Sequence, residues 1–459
     1  MSDLSHIVKA YDVRGIVPDQ LDGTVARALG TAFVEMLRES GDDADRIVIA
    51  RDMRDSGPAL VAAFASGANA AGTAVLDIGL GSTDQLYYAS GSLGLPGAMF
   101  TASHNPARYN GIKLCRSGAR PVGQDSGLAV VRRRAEELLD DLDAVADGVT
   151  RIETRDLLAD YAAHLRKLVD LSGIRPLKVV VDAGNGMGGF TVPAVLGDQV
   201  LPALPLDIVP LYFELDGSFP NHEANPLEPA NLVDLQAAVR THGADLGLAF
   251  DGDADRCFVI DENGDPVSPS AITGLVATRE LARFPGSTVI YNVITSAAVP
   301  EIIAENGGTP VRSRVGHSFI KGEMARTNAV FGGEHSAHYY FREFWFADTG
   351  MLAAMHVLAA LGGQDRPLSA FAAEYERYSA SGEINSTVDD AAAKVAEVRA
   401  AYPRARFDEL DGLSVFLGDG AWFNLRSSNT EPLLRLNVEA AKPDRMAALR
   451  DEVLAMVRG

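Results

Sequence analysis

A serine and three carboxylates stand in two short segments that lie far apart in the chain. The first segment is Thr101-Ala-Ser-His-Asn-Pro106, and the second is Asp251-Gly-Asp-Ala-Asp-Arg256. A phosphoserine brings about two negative charges at neutral pH, so a serine that carries phosphate needs a hard cation close by. Three carboxylates within five residues suit such a cation. Together the two segments predict a phosphoserine beside a divalent metal ion.

The acidic segment is predicted to follow a buried strand. Residues 244–250 are mostly apolar, and in an extended chain residues i, i+2 and i+4 project to one side. The side chains of Asp251, Asp253 and Asp255 would therefore converge. Oxygen ligands without histidine or cysteine favour Mg²⁺, Mn²⁺ or Ca²⁺ over zinc.

Two other kinds of site compete for the same acidic loop. An EF-hand calcium loop is disfavoured, because Arg256 takes the place of its required glycine and residues 257–260 are strand-like. The second alternative is a nucleophilic Asp251 that would itself carry the phosphate as an aspartyl-phosphate. This alternative explains the loop but leaves the serine segment without a role, and it stays open here.

The serine segment is predicted to be a turn that leads into a helix. Residues 98–101 have the character of a strand end, and Pro106 suits a first helical position with Asn105 as its cap. The N-terminus of that helix would offer N–H groups to a phosphate on Ser103. Cations are also needed when a second phosphate approaches. The candidate cations are Arg14, Lys113 and Arg256.

Two further segments carry groups that bind phosphates and sugar hydroxyls. Arg426-Ser-Ser-Asn-Thr-Glu-Pro432 combines a guanidinium, hydroxyls and an amide, which suit a phosphate that is held rather than transferred. Gly332-Gly-Glu-His-Ser-Ala-His338 offers a glutamate and a serine that could bind two neighbouring sugar hydroxyls. Each segment alone is weak evidence, and their value lies in occurring together.

These segments, in this order, resemble those of the α-D-phosphohexomutase family, and most closely its bacterial phosphomannomutase/phosphoglucomutase branch. Three more segments of the chain share the resemblance: Lys9-Ala-Tyr-Asp-Val-Arg-Gly15, Asn110-Gly-Ile-Lys113 and Val315-Gly-His-Ser-Phe-Ile-Lys321. The resemblance extends along essentially the whole chain. Agreement of so many segments in one order is very specific.

The resemblance implies an isomerase that interconverts hexose 6-phosphate and hexose 1-phosphate through a phosphoserine and a hexose 1,6-bisphosphate intermediate. Mannose is the expected hexose and glucose a second one. The implied cofactors are hexose 1,6-bisphosphate as activator and Mg²⁺, with Asp251, Asp253, Asp255 and phosphorylated Ser103 as its ligands. Residues similar to those around the transferring phosphoryl group are His104, Lys113 and Arg256. Residues similar to substrate contacts are Tyr11, Arg14, His317, Glu334, Ser336, His338, Arg426, Ser428, Asn429 and Thr430.

The chain departs from the family pattern at two positions. Ala337 replaces a glycine, and its methyl group is expected to force the backbone or to tilt His338. Ile294 stands where relatives often carry a lysine that touches substrate. A phosphoglucosamine mutase and a strict phosphoglucomutase therefore remain alternatives, although His335 resembles the phosphomannomutase/phosphoglucomutase branch.

A different class of enzyme is suggested by Gly184-Asn-Gly-Met-Gly-Gly189, which matches the dinucleotide-binding pattern after a strand. An NAD-dependent oxidoreductase would leave the other motifs without a purpose, and tight strand-to-helix turns need glycine anyway. An NAD-dependent oxidoreductase is therefore the second hypothesis for the function.

Composition limits the partners and the location of the protein. The net charge of −21 argues against nucleic acid and against an anionic membrane as partner. No apolar run reaches the roughly 18 residues of a membrane span, and a signal peptide's apolar core is lacking. Two cysteines, Cys115 and Cys257, indicate a reducing compartment. We expect a cytoplasmic protein, a monomer or weak homodimer, with small hexose phosphates as partners.

Strand-like and helical segments alternate along most of the chain, which predicts an α/β fold. We expect three similar α/β domains with mixed sheets and a smaller C-terminal α+β domain around a central cleft. The predicted domains are residues 1–150 with the phosphoserine loop, 151–262 with the metal loop, 263–367 with the sugar-binding loop and 368–459 with the phosphate-binding loop.

Overall fold

The computed structural model describes residues 2–141, 151–427 and 433–459. These residues form two compact units. Of the described residues, the first unit comprises 2–141, 151–267 and 336–369, and the second comprises 268–335, 370–427 and 433–459.

The first unit begins with a mixed sheet covered by helices. Its strands are β1 (Val13–Ile16), β2 (Arg46–Arg51), β3 (Ala74–Leu80), β4 (Gly97–Phe100), β5 (Tyr109–Arg116), β6 (Arg120–Pro121) and β7 (Ile152–Thr154). Its helices are α1 (Gly23–Glu39), α2 (Gly57–Ala70), α3 (Thr83–Leu93), α4 (Leu128–Asp140) and α5 (Leu158–Leu168). The strand order is β1-β5-β4-β2-β3-β7, with β6 paired to β5. Strand β2 runs parallel to β3 and β4, whereas β5 runs antiparallel to β4 and β1.

Strand β2 is apolar on both sides because helices cover both faces of this sheet. Ile47 and Ile49 belong to the cluster formed with helices α1, α2 and α4. Val48 and Ala50 belong to a second cluster, on the side of helix α3. A continuous apolar run is typical of a parallel strand buried on both faces.

A second mixed sheet completes residues 1–267. Its elements are β8 (Leu177–Asp182), α6 (Gly188–Val195), β9 (Leu206–Leu211), α7 (Val233–His242), β10 (Leu246–Phe250), β11 (Cys257–Ile260) and β12 (Pro266–Val267). The order is β12-β11-β10-β8-β9. Strands β8, β9 and β10 are parallel, and β10 and β11 form an antiparallel hairpin. The acidic segment is the turn of this hairpin.

Parallel and antiparallel strands also occur between residues 268 and 369. The elements of the second unit here are α8 (Pro269–Arg283), β13 (Thr288–Asn292), α9 (Ala298–Glu305), β14 (Thr309–Ser313), α10 (His317–Thr327) and β15 (Phe331–Gly333). Strand β13 pairs in parallel with β14 and with β15. The elements of the first unit are β16 (Tyr339–Phe341), β17 (Ala347–Asp348) and α11 (Gly350–Gly362), and β16 pairs antiparallel with β17.

The C-terminal part of the second unit is an antiparallel sheet with helices on one face. Its elements are β18 (Ser379–Thr387), α13 (Ala391–Ala401), β19 (Arg406–Asp408), β20 (Leu413–Phe416), β21 (Trp422–Ser427), β22 (Leu433–Ala440) and α14 (Pro443–Arg458). The short helix α12 (Leu368–Ala372) precedes them and begins in the last residues of the first unit. The strand order is β18-β22-β21-β20-β19. Phe423 and Leu425 pack in the cluster that also includes residues of α13 and α14. Because side chains alternate along a strand, Trp422, Asn424 and Arg426 share the opposite face.

The predicted fold class is confirmed in its elements: α/β segments with parallel and antiparallel strands, followed by a C-terminal α+β part. The predicted boundary near residue 150 falls beside residues 142–150, which lie outside the described residues, and β7 just after them still pairs with β3 of the first sheet. Among the helices in the described part of the chain, we find no candidate for a membrane span.

Candidate active site

The serine and the acidic turn meet in the first unit. Ser103 lies in the loop between β4 and β5, and its hydroxyl donates a hydrogen bond of 2.7 Å to Asp251 Oδ2. Ser103 is only 3% exposed and Asp251 is fully buried. The serine hydroxyl and the acidic turn are therefore in contact, as the sequence predicted.

The three aspartates converge, but not for the predicted reason. Asp251, Asp253 and Asp255 each place a carboxylate oxygen within 4.8 Å of the other two. The segment is not extended, because Ala254 adopts a left-handed backbone with φ of 58° and its N–H donates to the Asp251 carbonyl at 3.0 Å. The chain has to reverse between β10 and β11, so the carboxylates converge through a tight turn and not through strand alternation.

The acidic turn has the donor set of a hard-cation site. All three carboxylates are at most 1% exposed. Among the described residues, Asp253 Oδ1 and Asp255 Oδ1 have no hydrogen-bond partner. Buried carboxylate oxygens without a partner are costly unless something positive neutralises them. A divalent cation that prefers oxygen ligands fits the turn.

Two cationic side chains offset part of the acidic charge. Lys113 Nζ donates to Asp253 Oδ2 at 2.7 Å and to Asp255 Oδ2 at 2.6 Å. Arg256 donates to Asp251 Oδ2 through Nε at 2.9 Å and through Nη2 at 2.8 Å. Burial lowers the pKa of Lys113, but the two carboxylates outweigh it and the pKa is raised overall. Lys113 is thus held as a cation.

His104 is neutral and its tautomer follows from a contact with arginine. Arg256 Nη2 lies 2.6 Å from His104 Nδ1, and an arginine can only donate. Nδ1 is therefore an acceptor, and the ring proton is on Nε2. Burial first, and then the charges of Arg256 and Arg14, hold the pKa of His104 well below its usual value.

The predicted helix after Pro106 is wrong. Residues 101–108 form turns and strand β5 begins at Tyr109. Capping residues favour a helix locally, but here the loop joins two antiparallel neighbours, β4 and β5, and leaves no length for one. Ser103 has a left-handed φ of 49°, and its N–H donates to Thr101 Oγ1 at 2.8 Å.

Arg54, which the sequence analysis missed, holds the serine loop. Its guanidinium is buried, with 2% of the residue exposed. Nη1 donates to the carbonyls of Pro106 at 3.0 Å and Tyr109 at 2.8 Å. Nη2 donates to the carbonyls of Ser103 at 2.8 Å and Asn105 at 2.7 Å. One side chain thus binds four carbonyls of the loop that displays the hydroxyl.

The register of the sheet explains how Arg54 reaches this loop. Strands β2 and β4 are parallel neighbours in which Arg51 pairs with Phe100. Arg54 and Ser103 each follow these partners by three residues, so they emerge at the same edge. The signal in the sequence is an arginine just past the end of a buried strand, but the strand order must be known before it can be used.

The N-terminal residues that were predicted to line the site reach the same loop. Arg14 Nη1 donates to Asn105 Oδ1 at 2.5 Å and Nε donates to Asp12 Oδ2 at 2.7 Å. Tyr11 is half-buried in the turn before β1. Arg14 therefore places a second guanidinium beside the serine loop.

His338 and Ser336 also belong to the first unit. Ser336 Oγ lies 2.9 Å from His338 Nδ1, and His338 Nε2 lies 3.8 Å from Asp255 Oδ1. A β-bridge between His338 and Arg256 fixes the backbone of the histidine against the acidic turn. An imidazole therefore stands at the edge of the carboxylate cluster.

The alanine that replaces the family's glycine adopts a glycine-like backbone. Ala337 is fully buried and has a left-handed φ of 64°. An L-residue in this conformation costs roughly 1–2 kcal/mol. The strain expected at this position is thus located in the backbone of Ala337.

Ala337→Val is expected to destabilise the protein, whereas Ala337→Gly is expected to change its stability little. A β-branched residue is strongly disfavoured at positive φ, and the extra methyl groups have no space. Glycine relieves the strain but gains entropy in the unfolded chain. Thermal unfolding should show a midpoint lowered by about 3 °C or more for valine and by less for glycine. Equal midpoints for the valine variant and the wild type would contradict this account.

The remaining predicted contacts lie in the second unit or outside the described residues. Glu334 is buried, and its Oε1 accepts from Gly316 N at 3.0 Å and Asn292 Nδ2 at 3.2 Å. His317 is the first residue of α10. Arg426 Nη2 donates to Glu383 Oε2 at 3.2 Å. Three predicted residues lie outside the described part of the chain: Ser428, Asn429 and Thr430.

The glycine-rich turn after β8 packs against the acidic turn. Met187 N–H donates to the Gly252 carbonyl at 2.9 Å. A Cβ on Gly186 would lie 2.7 Å from the same carbonyl oxygen, so no larger residue fits. The glycines of this turn therefore have a packing role in the first unit.

Family models match the chain in four successive regions. They describe the α/β/α domains I, II and III and the C-terminal domain of phosphoglucomutase/phosphomannomutase. The matched residues are 5–138, 159–264, 268–378 and 383–456.

Individual relatives match over nearly their full length. The chain is 42% identical over 457 residues to the phosphohexose mutases of Xanthomonas campestris pv. campestris, covering 98% of this chain and 99% of the relative. It is 40% identical over 458 residues to a phosphomannomutase of Escherichia coli, covering 98% of each. A crystal structure of a phosphoglucomutase/phosphomannomutase family protein from Burkholderia thailandensis superposes with a TM-score of 0.87 at 32% identity, covering 100% of this chain and 98% of the other.

Proposed function

Because the chain belongs to the phosphoglucomutase/phosphomannomutase family, it is a hexose phosphate mutase, and we propose that Ser103 is its phosphoryl carrier. The observation that supports this role is the 2.7 Å hydrogen bond from Ser103 Oγ into the acidic turn. A phosphate on that oxygen would be repelled by the three buried carboxylates beside it, so cations must surround it.

We propose Mg²⁺ as the resident cofactor, with ligands from Asp251, Asp253, Asp255 and the phosphate of Ser103. The two carboxylate oxygens without a hydrogen-bond partner among the described residues support this assignment. When bound, the ion would withdraw charge from the phosphoryl oxygens and orient them for in-line transfer.

The protein's own residues would contribute charge and position to each transfer. The bond from Ser103 Oγ to phosphorus breaks as a hydroxyl of the hexose phosphate forms a new bond to phosphorus. The hexose bisphosphate then reverses, and the bond from its other phosphorus to the sugar oxygen breaks as Ser103 Oγ forms a new bond to that phosphorus. The proton of the Ser103 hydroxyl ends on the sugar oxygen that leaves. Arg256 lies 3.4 Å from Ser103 Oγ through Nη2, so it would stabilise charge on the oxygen that leaves.

We propose His338 as the group that accepts the proton of the attacking hydroxyl. Lys113 is held as a cation by Asp253 and Asp255. His104 has no free acceptor, because Nδ1 accepts from Arg256 and Nε2 carries the proton. His338 is the third candidate: its Nε2 lies 3.8 Å from Asp255 Oδ1, at the edge of the acidic turn, and its side chain is partly exposed and can face a substrate hydroxyl.

The substrate contacts are proposals that rest on the resemblance to the family. We propose that Tyr11, Arg14 and His317 line the site and that Glu334 and Ser336 bind sugar hydroxyls. Arg426, Ser428, Asn429 and Thr430 would bind the phosphate that the substrate keeps. Ile294 is buried and offers no charge to a substrate. Mannose as preferred hexose, hexose 1,6-bisphosphate as activator, a cytoplasmic location, a monomer or weak homodimer and the domain boundaries near residues 150, 262 and 367 also remain predictions.

A coupled assay tests the reaction and its sugar preference. Mannose 1-phosphate, glucose 1-phosphate and glucosamine 1-phosphate are compared with Mg²⁺ and a trace of hexose 1,6-bisphosphate. We expect turnover of mannose 1-phosphate and glucose 1-phosphate. Turnover of glucosamine 1-phosphate alone would overturn the proposed preference.

Arg426→Ala is expected to weaken substrate binding more than metal binding. A charged hydrogen bond contributes about 1.5–3 kcal/mol, so the KM for hexose phosphate should rise about tenfold or more. The Mg²⁺ concentration for half-maximal rate should stay the same. Arg435→Ala is a matched control, because Arg435 pairs with Arg426 across β21 and β22 and also contacts Glu383. Equal loss of substrate and metal affinity would mean that Arg426 has another role.

A further inference from the structure

The second unit contains a cavity that none of the proposed site residues lines. Its volume is about 280 Å³. It lies between the end of β13 with the start of α9 on one side and strands β19 to β21 on the other. The lining residues that matter chemically are Tyr291, Arg312, Arg406, Asp408, Phe416 and Trp422.

One cationic side chain of this cavity, Arg406, is not paired with an anionic group of the described residues. Among the described residues, Arg406 has no hydrogen-bond or ion-pair partner, and its guanidinium carbon lies 3.8 Å from the centroid of the Phe416 ring. Stacking on an aromatic ring holds the guanidinium plane but leaves its N–H edge available to a ligand. In a chain with a net charge of −21, such a group is a local anion-binding feature.

The second arginine of the cavity is already neutralised. Arg312 Nη1 donates to Asp408 Oδ2 at 2.5 Å, and Nη2 donates to Val293 O and Ser414 Oγ, each at 3.1 Å. The charge left over in the cavity is therefore that of Arg406. One anionic group of a ligand would match it.

The rest of the lining suits a carbon skeleton with hydroxyls. Among the described residues the Tyr291 hydroxyl has no hydrogen-bond partner, so it is a further donor. The Trp422 indole N–H donates to Glu439 Oε1 at 2.8 Å, so the Trp422 ring offers only an apolar surface to a ligand. Asp408 can accept from hydroxyl groups. Drug-sized ligands need about 300–1,000 Å³, so this cavity suits a smaller molecule.

We propose that this cavity is a second binding site, for a small phosphate ester of a polyol or sugar. The phosphate would bind Arg406 and Tyr291, the carbon skeleton would pack on Trp422, and hydroxyls would donate to Asp408. The site is separate from the proposed phosphate contact at Arg426. Trp422 and Arg426 share one face of β21 but stand four residues apart, or about 13 Å along the strand.

A ligand here would also join two parts of the second unit. The bonds that connect the segment around β13 and β14 to the C-terminal sheet include those of Arg312, the bond from Ala297 N–H to Glu439 Oε1 at 2.9 Å and the bond from Val315 N–H to Asp411 Oδ2 at 2.9 Å. A ligand held from both sides adds to these bonds. Binding should therefore raise the thermal unfolding midpoint, since it stabilises the folded state.

Calorimetric titration of the full chain with glycerol 3-phosphate tests the proposal without turnover. This ester has no anomeric carbon, so it cannot be a mutase substrate, and the result does not depend on the proposed phosphoserine mechanism. Inorganic phosphate is titrated in parallel. We expect glycerol 3-phosphate to bind more tightly than inorganic phosphate. We also expect Arg406→Gln to weaken its binding about tenfold or more.

Two control variants make the outcome decisive. Arg404→Gln removes an exposed arginine two residues away and should bind normally. Arg426→Ala should also retain binding. Loss of binding in Arg426→Ala but not in Arg406→Gln would place the ester at the proposed active site and overturn the inference. Absence of binding to the wild type, or equal affinity for inorganic phosphate, would overturn it as well.

Discussion

Ser103→Ala is expected to abolish mutase turnover. The variant removes the only oxygen at this position that can carry the phosphoryl group between the two transfers. Serine already carries the cost of the left-handed backbone at this position, and alanine can adopt it as well, since Ala254 and Ala337 do so in the same unit. The loss should therefore appear in kcat, measured by the coupled assay, while the protein remains folded.

Stability and a control variant separate chemistry from folding. Ser103→Ala leaves the buried Asp251 without one donor, which costs about 1–3 kcal/mol. Circular dichroism should still show a folded protein with a lowered unfolding midpoint. Ser117→Ala, which removes an exposed hydroxyl bonded to Gly94 O, should keep full activity. Full activity of Ser103→Ala would refute the assignment of the carrier.

Arg54→Lys is expected to lower kcat by about a hundredfold or more, because misplacing a reacting group by about 1 Å can cost that much. An ammonium cannot reproduce the planar fork that donates to four carbonyls of the serine loop. Ser103 holds a left-handed backbone, and its carbonyl is one of these four acceptors. Without Arg54, nothing equivalent among the described contacts holds that carbonyl, and the hydroxyl should move.

The kinetic pattern distinguishes positioning from general loss of stability. KM should change little, because Arg54 is buried and touches the loop rather than a substrate. Arg116→Lys is the matched control, since Arg116 is also partly buried and bonded to Asp42, Ser40 and the Ser126 carbonyl in the same unit. It should lower the unfolding midpoint without a comparable fall in kcat. Parallel losses of kcat in both variants would assign Arg54 a purely structural role.

The meeting of Ser103 with Asp251 was predicted from chemistry, because a phosphate on a serine needs a hard cation close by and three carboxylates suit one. The types of residue also predicted the ligand chemistry: carboxylates for a cation, and cations for phosphate. What the sequence analysis got wrong was local geometry. It assigned a helix after Pro106 from capping preferences, whereas antiparallel pairing of β4 with β5 decided the conformation.

The contribution of Arg54 could not be predicted, because its partners are backbone carbonyls that carry no sequence signature. Only the parallel register of β2 and β4 brings Arg54 and Ser103 to one edge. The left-handed backbones of Ala254 and Ala337 could not be predicted either, because alanine does not favour this conformation. Motifs predicted the chemistry of the site, and tertiary pairing decided its geometry.

The acidic chain makes the local cations of the site more important. A net charge of −21 repels an anionic substrate at long range. Arg14, Lys113 and Arg256 stand at the serine and acidic loops and reduce this repulsion locally. Removal of any one should therefore weaken the reaction more at low salt than at high salt, where the long-range repulsion is screened.

The location of the phosphate on the enzyme tests the central claim most directly. The protein is incubated with hexose 1,6-bisphosphate and Mg²⁺, digested in acid and sequenced by mass spectrometry, with and without hydroxylamine. The account predicts an acid-stable phosphate on Ser103 that hydroxylamine does not remove. A phosphate on Asp251 that hydroxylamine releases, with Ser103 unmodified, would contradict it.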